Sequence, residues 1–277
     1  MGIGEPETSG LDLSRVQAWL QEHMVGVRLV YLESTTSTND MAWTILESGN
    51  DEGVVVLAEE QVSGRGRMGK KWQSLRGAGV WCSFGWVERE EEEPTALFGL
   101  IGGIAGADAI RGVTGIPVLL KWPNDLMIEG RKVGGILVES RRLAWGPLAY
   151  VLGIGINCFQ RGDEFGEDFR KRTISLKLCG AQSLDRTTLV TAMLNQLFCW
   201  IRRPRNWGCG DVRREWIARA FVYDELVSLH HGGRIYRGWI TDVDPLGDLV
   251  VRLEAGTLRT FPAHATSVVL ENQSVRL

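Results

Sequence analysis

Three glycines, two arginines and two lysines fall within Gly64–Lys71, inside the stretch QVSGRGRMGKKW that begins at Gln61. Glycine lets backbone N–H groups come close to phosphate oxygens, and arginine adds two donors in a fixed fork. The chemistry of such a loop is the holding of an anion. GRGRMG matches GxGxxG, a weak signature when it stands alone, and GxxxxGK[ST] is absent from it. A dinucleotide-binding loop would pass straight into a helix, whereas KKWQSLRGAG reads as more loop. The plain alternative is a solvated basic loop.

A second basic stretch is KWPNDLMIEGRKVGGILVE, residues 121–139. Pro123 cannot continue a central ladder, so the chain must turn there and leave Lys121 at the rim of a sheet. A lysine so placed is a point charge for a phosphoryl or carboxylate oxygen, or an ordinary exposed strand end. Asn124 and Asp125 suit a turn. Gly134 and Gly135 permit close backbone approach or mark a bulge. STTSTND, 34–40, reads as a helix N-cap or as a rim of hydroxyl and amide groups around a polar ligand. In GIGIN, 153–157, alternate glycines weaken a strand unless something flat lies against the backbone. Asn157 at its end would read a base edge or cap a turn.

These segments need elements to position them. Leu13, Val16, Leu20 and Met24 recur at helical spacing. VRLVYLE and GVVVLAEEQ read as strands around a capped helix that ends near Gly49. GVWCSFGWV and AYVLGIGINC are further strands, and a hairpin turns near Glu129–Gly130. The apolar, small-residue run from Thr95 is a helix buried against a sheet, and two amphipathic helices follow in LDRTTLVTAMLNQLFCWIRR and DVRREWIARAF. EREEEEP, 88–94, reads as a solvated loop. After residue 223 only short strands and turn signals remain, the texture of a small SH3-like β-barrel. The fold class is therefore α+β: a mixed-sheet domain over 27–223, preceded by a tail and short helix over 1–26, then a barrel over 224–277.

Composition narrows the classes. The chain has 277 residues and a formal charge of −3, which argues against a protein that coats nucleic acid. One short helix before the first strand leaves no room there for a helix-turn-helix module. Five cysteines without a CxxC pair fit reduced thiols in a cytosolic protein, and four histidines without ligand-like spacing make a structural zinc site unexpected. No apolar h-region opens the sequence and no apolar run of ~18 residues is evident. The expectation is a soluble, cytoplasmic protein with no membrane or nucleic-acid partner.

Taken together, STN at 37–39, Q..GRGR.G..W at 61–72, KWPNDL....RK.GGIL.E at 121–139 and G.GIN at 153–157 resemble the biotin protein ligases. The resemblance covers about residues 27–277. It implies the mixed-sheet catalytic domain of the biotin/lipoate ligase type with an SH3-like C-terminal domain. It also implies the reaction: biotin and ATP, with Mg²⁺, give biotinyl-5′-adenylate, and the biotinyl group passes to a lysine of a biotin carrier protein, such as that of acetyl-CoA carboxylase. Carried over residue by residue, Ser37, Thr38, Asn39, Gln61, Gly64, Arg65, Gly66, Arg67, Lys121, Gly135 and Gly153 would bind biotin. Arg65, Arg67, Trp72, Asn124, Lys132, Gly155 and Asn157 would bind the nucleotide. Lys121 and Arg67 would act on the reacting carboxylate and phosphate, and Asp125 is the candidate base for the acceptor lysine. No residue is implied as a metal ligand.

Met68 stands where many members carry another basic residue, so the loop has less charge than GRGRRG. The N-terminal region suggests the enzyme-only form of the family. Members are monomers or homodimers, and no residue here decides between them. The nearest alternative is a lipoate or octanoate ligase or transferase. The others are a non-catalytic ligand-binding module and a nucleic-acid binder using Gly64–Lys71; retention of Lys121 and both loop arginines argues against the former.

Overall fold

The computed structural model describes residues 10–89, 95–201 and 209–270. The polar N-terminal nonapeptide, most of the acidic run 88–94 and the Cys209 side chain lie outside the described residues.

The main sheet has seven strands in the order β1-β2-β3-β7-β6-β5-β4. β1 (Val27–Leu32) and β2 (Gly53–Ala58) are parallel and joined through helix α2 (Thr38–Glu47). The remaining neighbours are antiparallel: β3 (Gly79–Val87), β7 (Leu148–Asn157), β6 (Arg131–Arg142), β5 (Asp125–Ile128) and β4 (Leu119–Lys121). A parallel pair needs a crossover and an antiparallel pair a hairpin, so the sheet is mixed as the sequence suggests. β5 and β6 turn through Glu129 and Gly130, both at positive φ, as a tight hairpin requires. The register slips between Leu126 and Met127, so Val133 is a bulged residue beside Gly134.

β2 and β3 are buried along their whole length, which accounts for their continuous apolar runs. Side chains alternate between two cores. Val54, Val56 and Val151 face α2 with Ala42, Trp43 and Leu46. Val55, Leu57, Leu152, Ile154 and Ile156 face the larger core with α3 (Thr95–Thr114) and α5 (Arg186–Ile201). α3 is, by length and composition, apolar enough to cross a membrane, although no unbroken apolar run of that length marks it in the sequence. Here it is a core helix: Gly102 lies against Ile136 and Leu152, and Gly106 against Leu126. α1 (Leu13–His23) packs on α5 and β1, with Asp12 capping Ser14 and Arg15.

The second sheet, antiparallel throughout, has the order β11-β10-β9-β8-β12, where β8 to β12 run Leu226–His231, Arg234–Val243, Leu249–Leu253, Leu258–Phe261 and Thr266–Leu270. Its strand number and shortness fit an SH3-like domain. No pairing among the described residues closes β11 onto β12, so the sheet is open where a closed barrel was expected. α6 (Cys209–Ile217) precedes it, and Arg219–Phe221 pair with Leu120 on the edge of β4. Trp122 donates through Nε1 to Gly247 O at 3.1 Å, and one continuous apolar core runs from the main sheet into Val227, Leu229, Ile240 and Phe261.

Candidate active site

The site lies on the sheet face that carries α2. Register sets it out in rows: Gly135 and Trp81 flank Gly155, Leu137 and Ser83 flank Gly153, and Glu139 and Gly85 flank Val151. Residues opposite one another share a face and a period of two repeats it, so the alternate glycines of β7 both point at the site. They are needed for close approach. A Cβ on Gly155 would lie 2.5 Å from Trp72 Nε1, and one on Gly153 would collide with Asn39 Oδ1. The flat object against GIGIN is the protein's own Trp72.

At the N-terminus of α2, Ser37 occupies the cap position and makes no side-chain cap bond. Gln61 from the following loop does that work instead. Its Oε1 accepts from Thr38 N at 2.8 Å and Thr38 Oγ1 at 3.1 Å, and its Nε2 donates to Ser74 at 2.7 Å. Ser83 Oγ lies 2.7 Å from Thr38 Oγ1 and 2.6 Å from Asn39 Oδ1. Ser37, Thr38, Asn39 and Ser83 are all buried. The structure thus joins Thr38, Asn39 and Gln61, expected together, to Ser83, which a polar residue in an otherwise apolar strand could have signalled.

The basic loop folds back on itself: Gly66 N donates to Lys70 O, Trp72 N donates to Gly64 O, and Met68 sits at φ 55° at the exposed tip. Its two arginines have different surroundings. Arg65 is clamped by Asp40 at 2.6 Å and Glu139 at 3.1 Å. Burial works against its charge, and Asp40 and Glu139 more than restore it. Among the described residues Arg67 hydrogen-bonds no carboxylate. It donates to Ala263 O, to Thr266 O at 3.4 Å and to Asn124 Oδ1 at 3.4 Å. Burial pushes its pKa below the ordinary value, with Asp125 pulling the other way.

A cationic cluster surrounds the β4–β5 corner. Burial lowers the Lys121 pKa; Asp125 opposes this, while Lys132, Lys70 and Arg172 push it further down. Lys121 pairs with Asp125 in the register, and Asp125 is ion-paired with Lys132 at 2.5 Å. Lys132 Nζ stands 5.1 Å from the centre of the Trp72 ring, and its Cε lies 3.1 Å from where a Gly135 Cβ would be. Among the described residues Trp72 Nε1 is buried without an acceptor. Asn124 holds the corner by donating to Ile136 O at 2.8 Å. Asn157 is buried beyond this cluster, with Nδ2 donating to Ile174 O and Oδ1 accepting from Gln160, so its amide already serves the fold. Among the described residues no group of three or more His, Cys, Asp or Glu side chains is placed to hold a metal.

A buried slot of hydroxyls and amides beside an under-compensated cationic cluster suits a ligand that is polar at one end and meets an anion at the other. The model of the Biotin/lipoate A/B protein ligase family matches residues 31–157. The chain is 30% identical over 252 residues to the biotin–[acetyl-CoA-carboxylase] ligase of Mycobacterium tuberculosis, covering 86% of this chain and 90% of that protein. It is 27% identical over 256 residues to the bifunctional ligase/repressor BirA of Bacillus subtilis, covering 91% of this chain and 78% of BirA. The biotin protein ligase of Aquifex aeolicus, solved in complex with biotin and ATP, superposes with a TM-score of 0.72 at 26% identity, covering 87% and 98% of the two chains. The chain belongs to the biotin protein ligases of this family.

Proposed function

We propose that the protein joins biotin to ATP and transfers the biotinyl group to a lysine of the biotin carrier protein of a biotin-dependent carboxylase. One observation carries the reading: the Thr38–Asn39–Gln61–Ser83 slot and the Lys121–Lys132–Arg67 cluster share one sheet face, with Trp72 between them and Gly155. In the first step a carboxylate oxygen of biotin attacks the α-phosphorus, the bond to the bridging oxygen breaks, and pyrophosphate leaves. Two anions must meet, and charge builds on the leaving group. Lys121, half-buried among cations with Asp125 as its counter-charge, recovers favourable interaction when that charge arrives. Arg67, held by neutral carbonyls, is the loop arginine suited to the phosphates. In the second step the acceptor amine attacks the acyl carbon, AMP leaves, and the amine gives up a proton. Asp125 is our candidate base, reached once Lys132 turns to phosphate.

We assign biotin to Ser37, Thr38, Asn39, Gln61 and Gly153, with the backbone of Gly64, Gly66 and Gly135 alongside. The nucleotide goes to Trp72, whose buried Nε1 offers a donor, with Lys132, Gly155 and Asn124. Asn157 holds the strand end beneath it. Mg²⁺ would ride on the triphosphate, which suits its preference for phosphate oxygens over an all-protein cage. Residues 27–223 form the catalytic domain and 224–277 the SH3-like domain in this reading.

Biotin-dependent exchange of labelled pyrophosphate into ATP tests it, with lipoate and octanoate as parallel substrates. Exchange with biotin alone is expected. Exchange only with lipoate or octanoate assigns the chain to that chemistry, and none with any of them removes the adenylation reading.

A further inference from the structure

We infer that Glu139 is a positioning residue of this site: its carboxylate fixes which atoms Asn39 presents to the ligand and ties Arg65 of the basic loop to the same point. The inference rests on the proposed biotin reading. Glu139 follows Gly135 and Leu137 on the site face of β6, one row beyond the Gly153 floor. It is at the rim of a cavity of about 410 Å³ that Asp40, Trp43 and Arg65 also line. Three side chains from two elements donate to it. Asn39 Nδ2 and Trp43 Nε1 each lie 3.0 Å from Oε2, and Arg65 reaches Oε1 at 3.1 Å and Oε2 at 3.2 Å.

An ionised carboxylate only accepts, whereas an amide has one accepting and one donating end that can exchange places. Glu139 therefore admits only the NH₂ end of Asn39. The Asn39 carbonyl must then turn toward Ser83 and the Gly153 floor, 2.6 Å from Ser83 Oγ. Ser83 in turn lies against Thr38, which is bonded to Gln61. One carboxylate thus sets the polarity of the whole row. A ring with both N–H donors and a C=O acceptor, such as a ureido ring, reads that polarity; a ring without them does not. Asp40 shares only the Arg65 contact, so it separates the two tasks.

The test is pyrophosphate exchange by the full chain and by Glu139→Gln, varying biotin at fixed ATP and then ATP at fixed biotin. Glutamine keeps the shape but lets Asn39 flip. The expected result is a rise of about tenfold in KM for biotin, with KM for ATP and kcat changed by less than about twofold, since a flipped Asn39 loses one hydrogen bond to the substrate. Asp40→Asn should raise KM for biotin by clearly less. An unchanged KM for biotin in folded Glu139→Gln overturns the inference. So does an equal rise in both KM values with a fall in kcat, the mark of a general structural role. If Glu139→Gln fails to fold by circular dichroism, Trp43→Phe takes its place, retaining the carboxylate and removing one donor. About a threefold rise in KM for biotin then supports the inference and no change sinks it. A wild-type chain that shows no biotin-dependent exchange defeats the functional reading itself, a result distinct from either.

Discussion

Two arginines that look alike in GRGR do different things once the chain is folded. Arg65 is neutralised by Asp40 and Glu139, so it anchors the loop; Arg67, among the described residues, hydrogen-bonds neutral oxygens and has Asp125 only as a more distant counter-charge. Lys121 is the more strained case, a half-buried ammonium among Lys132, Lys70 and Arg172 with Asp125 as its counterweight. A site built to welcome an anion is destabilised without one. Lys121→Met is therefore expected to abolish adenylate formation in single-turnover assays yet raise the melting temperature of the ligand-free protein, by roughly 2–4 °C for about 1 kcal/mol. A lower melting temperature would show that Lys121 is satisfied in the free protein. Gly155 is the other position where one atom matters, because an added methyl meets the Trp72 indole at 2.5 Å. Gly155→Ala should raise KM for ATP by about tenfold or more through displacement of that ring, with KM for biotin less affected. Equal effects on both would place Trp72 outside the nucleotide subsite.

At the scale of elements, β7 shows what could be read in advance. Its alternate glycines signalled a flat neighbour, and the strand, its register and the neighbour are all present. The corner at Pro123 and the hairpin at Glu129–Gly130 were equally legible, since proline and positive φ act locally. Glu139 was not legible as a working residue, because its three partners are separated from it by up to 100 positions and meet it only through the sheet. The cap of α2 was misleading for the same reason: a distant Gln61 replaces the local Ser37. A local cap does start α5, where Asp185 accepts from Thr187 N, Thr188 N, the Thr188 hydroxyl and Arg15. Burial raises its pKa, and these partners outweigh burial to hold it at about 2, against an ordinary 3.8. The folded state thus binds its proton less readily than the unfolded state, so this stability is present above about pH 4 and is lost as pH falls toward 2. Asp185→Ala should cost about 1 kcal/mol at neutral pH in urea denaturation. Its gap to the wild type should narrow from about pH 4 downward; a constant gap would mean that the cap does not depend on charge.

Across the whole molecule, the Lys121 corner is held from both sides of the proposed domain boundary. Trp122 directly follows Lys121, is buried, and gives its indole N–H to Gly247 O in the β9–β10 turn. Arg67 docks on the carbonyls of Ala263 and Thr266, and Arg219–Phe221 lie along Leu120. The change of texture near Asp224 announced a second unit, but composition carries no sign that its turns would brace Lys121 and Arg67. Because the apolar core is continuous across the junction, the two units should unfold together. Trp122→Phe keeps an aromatic ring but removes the indole N–H and its hydrogen bond to Gly247 O. It should lower stability by about 1–2 kcal/mol, leaving a buried carbonyl unpaired, and slow pyrophosphate exchange severalfold through the position of Lys121. Calorimetry should still show one transition, at lower temperature. Two separate transitions in the wild type, or an exchange rate unaltered in the variant, would show that the C-terminal sheet is a neighbour of the catalytic corner and not a support for it.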